Sequence, residues 1–287
     1  MLNKSIKPVQ SKLNFGLGNA KLSKAIATFS LPAGFTCIGA KDCLSKADRN
    51  TGKLTDSKTC KFRCFAASQE CAYPAVRNAR WSNFEMLKKA SSIELMGKLI
   101  QKSLPYGLNI VRVHVSGDFF NEKYFLAWLN VAMNNPLVVF YGYTKATPFL
   151  VKYADYMPTN FRFTASKGGT HDDLIEQHDL KYAEVVYSKD EAHEKNLLID
   201  HDDSLAFNSN KSFALLLHGM QPANTPANKA WNALRKQGIG GYGKSSISRK
   251  VVFERKMKVY VSLRNGKVFI PSCNNKPLIK KVIYAEI

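Results

Sequence analysis

The sequence predicts an α/β fold: a parallel (β/α) full or partial barrel, with an N-terminal cysteine-rich loop and a C-terminal β-hairpin appendage. Short apolar strands alternate with amphipathic helices, which is typical of βαβ units. Several strands end in small or polar residues, as barrel strands do at the edge where active sites form. An open doubly wound sheet would give much the same pattern, so both parallel architectures stay open.

The elements follow from the spacing of the apolar residues. Helices are predicted where apolar residues recur every three or four positions, at residues 79–104, 123–134 and 150–157. At least five strands are predicted from short buried or alternating runs, at residues 110–115, 137–143, 161–165, 184–188 and 213–218.

Composition divides the chain into three parts. Residues 1–30 are expected to form a basic, loosely structured lead-in, residues 31–228 a barrel-like domain that carries the cysteines, and residues 229–287 a basic C-terminal segment. Asn265-Gly266 lies between two alternating apolar runs, which indicates a hairpin in that segment. With 287 residues and 45% hydrophobic content, the chain can bury the core of one large domain, alone or with a small appendage.

The charge predicts a polyanionic partner. The formal net charge is +20, and Lys and Arg side chains that neutralise phosphates release counterions. Nucleic acid is the expected partner, and a basic protein without a specific polyanion is the alternative. No stretch is apolar enough to span a membrane and no secretory signal is present, so we expect a cytoplasmic protein without membrane contact. The oligomeric state is left open.

The densest basic region, residues 229–267, predicts phosphate contacts. Glycines at 238–243 expose backbone beside the cations, and a tyrosine among them offers a ring for stacking on a base. A solvated basic surface with an ordinary glycine loop is the alternative. The predicted nucleic-acid residues are Arg235, Lys236, Tyr242, Lys244, Arg249, Lys250, Arg255 and Lys256.

Five of the six cysteines fall between positions 37 and 71, which predicts a metal or iron–sulfur site. Thiolates favour zinc or iron–sulfur clusters. The sequence has no CxxC pair, so the spacing does not indicate a zinc ribbon. Three thiolates on a four-iron cluster would leave one iron open. The alternative is a set of small buried apolar side chains. The clustered cysteines are Cys37, Cys43, Cys60, Cys64 and Cys71, with Cys273 isolated near the C-terminus.

Six long motifs stand out, and in chain order they are SLPAGFTCIGAKDCLSKADRNTGKLTD, FRCFAASQE, YPAVRNARWSNFEML, VRVHVSGDFF, FYGYTKA and FRFTASKGG. They resemble the phage family labelled mycobacteriophage gene product 88, over roughly residues 30–245. The label implies no activity. If the protein is phage-encoded, the host bacterial cytoplasm is its expected location.

The layout also resembles the radical S-adenosylmethionine (SAM) superfamily, whose members carry a three-cysteine loop after the first strand and a Gly-Gly-Glu-like motif after the second. The resemblance implies a 4Fe–4S cluster and bound SAM, although the usual CxxxCxxC spacing is absent. The implied cluster ligands are Cys37, Cys43 and Cys64, with Cys60 or Cys71 as replacements. The implied SAM-binding residues are Ser116, Gly117, Asp118 and Ser166.

Three further side chains are candidates for catalysis because of their places on the strands. Asp118 and Lys145 follow neighbouring strands, so they are expected to converge with the cysteines at one rim. Lys145 would bind a carboxylate or phosphate, or act as a base if buried. His114 is expected on the strand side of Arg112 and Ser116, facing the barrel interior. The alternatives are a helix N-cap for Asp118 and a structural role for His114.

Three functions fit these observations. The first is an iron–sulfur enzyme resembling radical SAM proteins, with a nucleic acid or a nucleoside as substrate. The second is a base-exchanging or base-modifying barrel enzyme with structural zinc, in which Asp118 is the nucleophile or base. The third is a non-enzymatic, metal-stabilised nucleic-acid-binding protein. An iron–sulfur cluster would indicate the first, and stoichiometric zinc the second or third.

Overall fold

The computed structural model describes residues 12–19, 21–239, 260–262 and 267–269. Its strands are, in chain order, β1 Phe15–Leu17, β2 Ile26–Ser30, β3 Ser45–Ala47, β4 Leu54–Asp56, β5 Ile110–Ser116, β6 Val139–Thr144, β7 Phe161–Ser166, β8 Tyr182–Val186, β9 Leu198–Ile199, β10 Phe213–Leu216, β11 Tyr260–Ser262 and β12 Lys267–Phe269. Its α-helices are α1 Phe65–Ala72, α2 Pro74–Ala90, α3 Ile93–Ser103, α4 Glu122–Asn134, α5 Thr147–Lys152, α6 Asp173–Gln177, α7 Lys189–Glu194, α8 Ser204–Asn208 and α9 Pro226–Lys236.

Eight strands form one sheet in the order β1-β2-β5-β6-β7-β8-β10-β9. β1 pairs antiparallel with β2, and every other neighbouring pair is parallel. The prediction of a mostly parallel α/β fold is confirmed. From β2 to β8 the strand order follows the chain, without the reversal that marks a doubly wound sheet. Within the described residues no pairing joins β9 to β1, so these strands are not shown to close into a barrel.

The sheet begins earlier than the sequence predicted. The expected lead-in contains β1 and β2, and β2 is the strand beside which β5 lies. Ile26, Ala27 and Phe29 are buried there. This strand has only five residues and follows two nearby lysines, so its apolar pattern is too short to distinguish it from a basic extended segment.

Helices cover one face of the sheet. Trp128 of α4 is fully buried at the centre of this layer and packs edge-on against Phe29 and Phe140. The single helix predicted at residues 79–104 is two helices, α2 and α3. The break falls at Ser91, whose φ of 53° ends α2, and Ser92 then caps α3 by accepting a hydrogen bond from the backbone N–H of Leu95 at 3.1 Å.

A buried ion cluster lies on the opposite face, under α8. Arg112 of β5 pairs with Asp203, and its guanidinium lies 4.2 Å from the ring centroid of Tyr143. Lys21 approaches the second oxygen of Asp203 at 2.5 Å. Burial alone would raise the pKa of Asp203, but Arg112 and Lys21 outweigh it and lower that pKa to about 2. The cluster therefore fixes α8 against the centre of the sheet.

His114 does not face the side predicted for it. The pairing of β2 with β5 slips by two residues between Thr28 and Ser30, and His114 sits in this irregularity with a φ of 61°. Its Nε2 lies 3.0 Å from the hydroxyl of Tyr124. The strict alternation assumed from the sequence fails at this bulge, so His114 lies in the helical layer while Arg112 lies on the opposite face.

The buried His114 predicts a pH-dependent stability. Burial lowers the pKa of His114 to about 3, whereas an unfolded histidine has a pKa of about 6.5. Its contribution is therefore complete above about pH 6.5 and is lost as pH falls toward the folded pKa, at a cost of about 2 kcal/mol by pH 5. We expect His114→Asn, which tolerates positive φ, to remove about that much of the difference between urea unfolding free energies at pH 7.5 and pH 5. Equal pH dependence in both proteins would contradict this.

Near the C-terminus β11 and β12 pair antiparallel. The residues between them, including Asn265-Gly266, lie outside the described residues. Among the helices within the described ranges, none combines the length and the hydropathy that a membrane span needs.

Candidate functional site

The loop between β2 and α1 brings three thiols together. Cys37, Cys43 and Cys64 are partly buried and lie close enough for each pair to interact electrostatically. Burial raises the pKa of all three thiols, that of Cys43 to about 12, and a thiolate at one raises the pKa of its neighbours. The backbone N–H groups of Ala66 and Ala67, at the start of α1, act in the opposite direction on Cys64.

The other two clustered cysteines differ from these three. Cys60 lies beside them, and its Sγ donates to the carbonyl of Phe62 at 3.0 Å and lies 3.6 Å from Ser45 Oγ. Cys71 is exposed on α1. Cys60 also interacts electrostatically with Cys43 and Cys64, so the folded loop places these four thiols near one another. Cys273 lies outside the described residues.

Backbone contacts fasten this cysteine loop to the end of β7. Ala40 forms an isolated antiparallel bridge with Gly169. Three further hydrogen bonds join the same two segments: Lys41 N to Gly168 O at 3.2 Å, Asp42 N to Gly168 O at 2.9 Å and Thr170 N to Gly39 O at 2.9 Å. A Cβ at Gly39 would lie 2.1 Å from the carbonyl oxygen of Lys145, so only glycine allows this approach.

Gly39→Ala should therefore displace the cysteine loop from the sheet. We expect a loss of about 1–3 kcal/mol in the free energy of unfolding, because backbone atoms must move to admit the methyl group. Gly97→Ala is the matched control, since its Cβ would lie 3.8 Å from the nearest atom, within helix α3, where alanine stabilises by up to about 1 kcal/mol. Chemical denaturation measures both, and a Gly39→Ala protein as stable as wild type would contradict the close approach.

Ser116-Gly117-Asp118 ends β5 directly under the loop. Gly117 has a φ of 83°, and a Cβ there would lie 2.6 Å from the Cβ of Leu31. Ser116 Oγ donates to the carbonyl of Leu31 at 2.9 Å. The backbone N–H of Asp118 donates to Thr36 Oγ1 at 3.3 Å, one residue before Cys37. The motif therefore joins the start of the cysteine loop to β5.

The carboxylate of Asp118 is buried, and both of its oxygens accept hydrogen bonds. It accepts hydrogen bonds from Thr144 Oγ1 at 2.6 Å, the backbone N–H of Lys145 at 2.8 Å and that of Phe119 at 2.7 Å. Burial raises the pKa of Asp118 to about 6, against the lowering effect of these donors. Asp118 does not cap a helix, since Asn121 caps α4. Its first role is to tie the ends of β5 and β6 together.

Asp118→Asn should destabilise the fold, because an amide nitrogen would face a donor where an oxygen now accepts. We expect a loss of about 1–3 kcal/mol in the free energy of unfolding, the usual cost of leaving a buried group unpaired. Asp155→Asn, at an exposed position, should stay within about 0.5 kcal/mol of wild type. Urea unfolding of the two variants makes the comparison. Equal stability would show that the three hydrogen bonds make no net contribution to the free energy of unfolding.

Lys145 and Ser166 meet at the neighbouring strand ends. Lys145 is buried, and its Nζ donates to the hydroxyl of Ser166 at 2.8 Å and to the carbonyl of Ser166 at 2.9 Å, with a third bond to the carbonyl of Lys167. The ammonium also lowers the pKa of Cys43, so it lies near the thiols. Asp118, Lys145 and the thiols thus share one rim of the sheet, with Lys145 already bonded to β7.

A buried carboxylate that sequence reasoning missed lies on α1. Glu70 is fully buried, and its Oε1 accepts from the backbone N–H of Ala33 at 2.8 Å, from Arg80 Nη1 at 2.9 Å and from Ser116 Oγ at 3.3 Å. Its Oε2 has no hydrogen-bond partner among the described residues. Burial raises the pKa of Glu70. The sequence signals this buried pair only through a Glu and an Arg on neighbouring helical segments. Such residues ordinarily lie on the protein surface.

A cleft of about 360 Å³ opens beside the cysteine loop. Lysines and acids alternate around it, and Tyr187 closes one side by donating to the carbonyl of Lys61 at 3.1 Å. The residues that line it are Asp42, Lys61, Phe62, Lys167, Gly168, Asp172, Glu184, Val185, Tyr187, Glu191 and Lys195. Within the described residues, none of the clustered cysteines lines this cleft, which Asp42 of the cysteine loop borders.

The predicted nucleic-acid residues are only partly described. Arg235 and Lys236 are exposed in the last turn of α9, and the Arg235 guanidinium lies 4.8 Å from the ring centroid of Trp231. The others, from Tyr242 to Lys256, lie outside the described residues. In the described part of the chain, no three His, Cys, Asp or Glu side chains have the arrangement needed to hold a metal ion.

Comparison with known proteins assigns the chain to a family. The sequence model of the family described as Gene product 88 matches residues 4–242, and the chain belongs to this family. It is similar to the Gene 88 protein of Mycobacterium phage L5, with 29% identity over 94 residues, or 30% of this chain. The chain covers 39% of that relative's length. No solved structure matches.

Proposed function

We propose that the chain is an iron–sulfur enzyme resembling radical SAM proteins, and that its substrate is a nucleic acid or a nucleoside. The observation that carries the proposal is the meeting of three thiols on the loop after β2, at the carboxyl edge of a parallel sheet, beside a Ser-Gly-Asp turn at the end of β5. When bound together, an iron–sulfur cluster and SAM supply radical chemistry.

The chemistry of the donor set suits such a cluster, although the side chains as placed in the described residues do not form a metal site. Cys37, Cys43 and Cys64 are soft donors, and iron–sulfur clusters are held by thiolates. Their burial and mutual repulsion keep the pKa of each thiol high, so a bound cation would be needed to hold them as thiolates at neutral pH. The ammonium of Lys145 near Cys43 adds to this stabilisation of negative charge.

We assign the residues of the rim to different tasks. Both oxygens of Asp118 accept hydrogen bonds from the protein, so Asp118 holds the rim together. Glu70 Oε2 has no hydrogen-bond partner among the described residues. The other oxygen of the same carboxylate, Oε1, accepts from Ser116 Oγ. In this proposal Glu70 would hold the ammonium of SAM, beside Ser116 and Gly117. Ser166 orients Lys145.

A structural zinc site remains the competing account of the thiols. In that account the enzyme would modify or exchange a base with Asp118 as nucleophile or general base, which its pKa of about 6 would suit. The three protein donors to the Asp118 carboxylate count against it, because hydrogen bonds to the charged form lower the basicity of a carboxylate.

Single cysteine replacements test the proposal. Cys37→Ala, Cys43→Ala and Cys64→Ala should each lose most of the iron and visible absorbance that the anaerobically purified wild type retains, since each removes one of three ligands. Cys71→Ala is the matched control because Cys71 is exposed on α1, and it should keep both. Each variant is then supplied with SAM and dithionite, and release of methionine and 5′-deoxyadenosine should follow iron content.

Two results would contradict the proposal. One is full iron content in all three variants, which would place the metal elsewhere. The other is stoichiometric zinc without iron in the wild type, which would favour the structural-zinc account.

A further inference from the structure

The hairpin formed by β3 and β4 is inserted between the cysteines. β3 begins two residues after Cys43, and β4 ends four residues before Cys60. Ser45 contributes to both structures, since its Oγ accepts from the backbone N–H of Cys64 at 3.2 Å. Anything held along this hairpin therefore lies beside the thiol site.

The hairpin turn is held rigidly. Asp48 Oδ1 accepts from the backbone N–H groups of Asn50 and Thr51 at 3.0 and 2.7 Å. Arg77 of α2 packs against this turn and is almost fully buried, and its Nε donates to the carbonyl of Arg49 at 2.9 Å. A Cβ at Gly52 would lie 2.6 Å from Arg77 Nη1. The side chains on the turn are therefore presented on a fixed backbone.

The hairpin and the residue Lys58 just after it carry cations, and Lys46 of β3 lies over the aromatic ring of Phe35 from the preceding loop. Within the described part of the chain, no ion pair joins Lys46, Lys53 or Lys58 to an acid, and Lys53 and Lys58 are exposed. Lys46 Nζ lies 5.2 Å from the ring centroid of Phe35. Phe35 keeps 38% of its surface exposed and rests edge-on against Trp81.

We propose that the β3–β4 hairpin binds a single strand of nucleic acid and holds it across the thiol site. Lys46, Lys53 and Lys58 contact phosphates, and Phe35 receives an unstacked base. Cations beside an exposed aromatic ring favour a nucleic-acid strand over an acidic protein, because a base has a face to stack and a carboxylate does not. The inference rests on the proposed function for the reaction, and it narrows the substrate to a polynucleotide.

Equilibrium binding of a fluorescently labelled, mixed-sequence oligonucleotide of about 20 nucleotides, as single-stranded DNA and as single-stranded RNA, tests the proposal across a salt series. Lys46→Gln, Lys53→Gln and Lys58→Gln are combined in one variant. The slope of log affinity against log salt is negative, and losing three phosphate contacts should make it less steep by about 2. Residual binding through other basic segments should remain.

The matched control combines Lys98→Gln, Lys102→Gln and Lys123→Gln, which makes the same change in net charge on α3 and α4. It should change the slope by less than half as much as the hairpin variant does. Equal slopes in the two triple variants, or no salt-dependent affinity in the wild type, would overturn the proposal, because binding would then follow net charge alone or be absent.

Phe35→Leu separates a nucleic acid from an acidic protein. It should weaken oligonucleotide binding roughly tenfold while leaving the weaker binding of polyglutamate unchanged. Polyglutamate that competes as well as the oligonucleotide at equal charge would overturn the assignment to nucleic acid. Thermal unfolding of each variant, compared with that of the wild type, shows whether the variant is folded.

Iron content and SAM cleavage are measured separately on the same proteins. Failure of the hairpin proposal would leave both unchanged, and failure of the iron–sulfur proposal would leave the oligonucleotide result standing.

Discussion

The buried carboxylate of Asp118 joins the three segments on which the candidate site depends. It accepts from the ends of β5 and β6, while its own backbone N–H reaches Thr36 just ahead of Cys37. The loop that carries the thiols, the β3–β4 hairpin and several cations buries a few small apolar side chains, and hydrogen bonds and close backbone contacts also fix it to the sheet. Gly39 and Gly117 permit that contact because they lack a Cβ. Losing this fastening would separate the thiols from the strand ends.

This fastening connects the fold to the proposed chemistry. The strand order brings the carboxyl ends of β2, β5, β6 and β7 to one edge, and the cysteine loop is docked over them. A separate buried ion pair lies on the far side of the sheet, where Arg112 and Asp203 pair under α8. At the edge itself, Lys145 and Glu70 are held by neighbours yet lie near the thiols or near Ser116. A rigid scaffold therefore carries a polar rim, which is the general arrangement of enzymes built on parallel sheets.

Five parallel strands, β5, β6, β7, β8 and β10, could be predicted from sequence because each is a short apolar run between polar turns, whereas the two-residue β9 was not predicted. β2 could not, because five residues beside lysines give too little pattern. His114 shows a different limit, since a bulge reverses the side of the sheet that alternation assigns. The convergence of Cys37, Cys43 and Cys64 followed from clustering alone, whereas the engagement of Glu70 with Ala33 and Ser116 depends on how α1 packs, which no local pattern encodes. Buried charges such as Arg77 read in sequence as surface residues.

X-ray absorption at the iron and zinc edges of the anaerobically purified wild-type protein tests the central claim most directly. The account predicts iron surrounded by sulfur, with a second shell of iron neighbours that only a cluster provides, and little zinc. Zinc in a sulfur shell without iron would contradict it, and the thiols that Asp118 helps to position would then be a structural metal site.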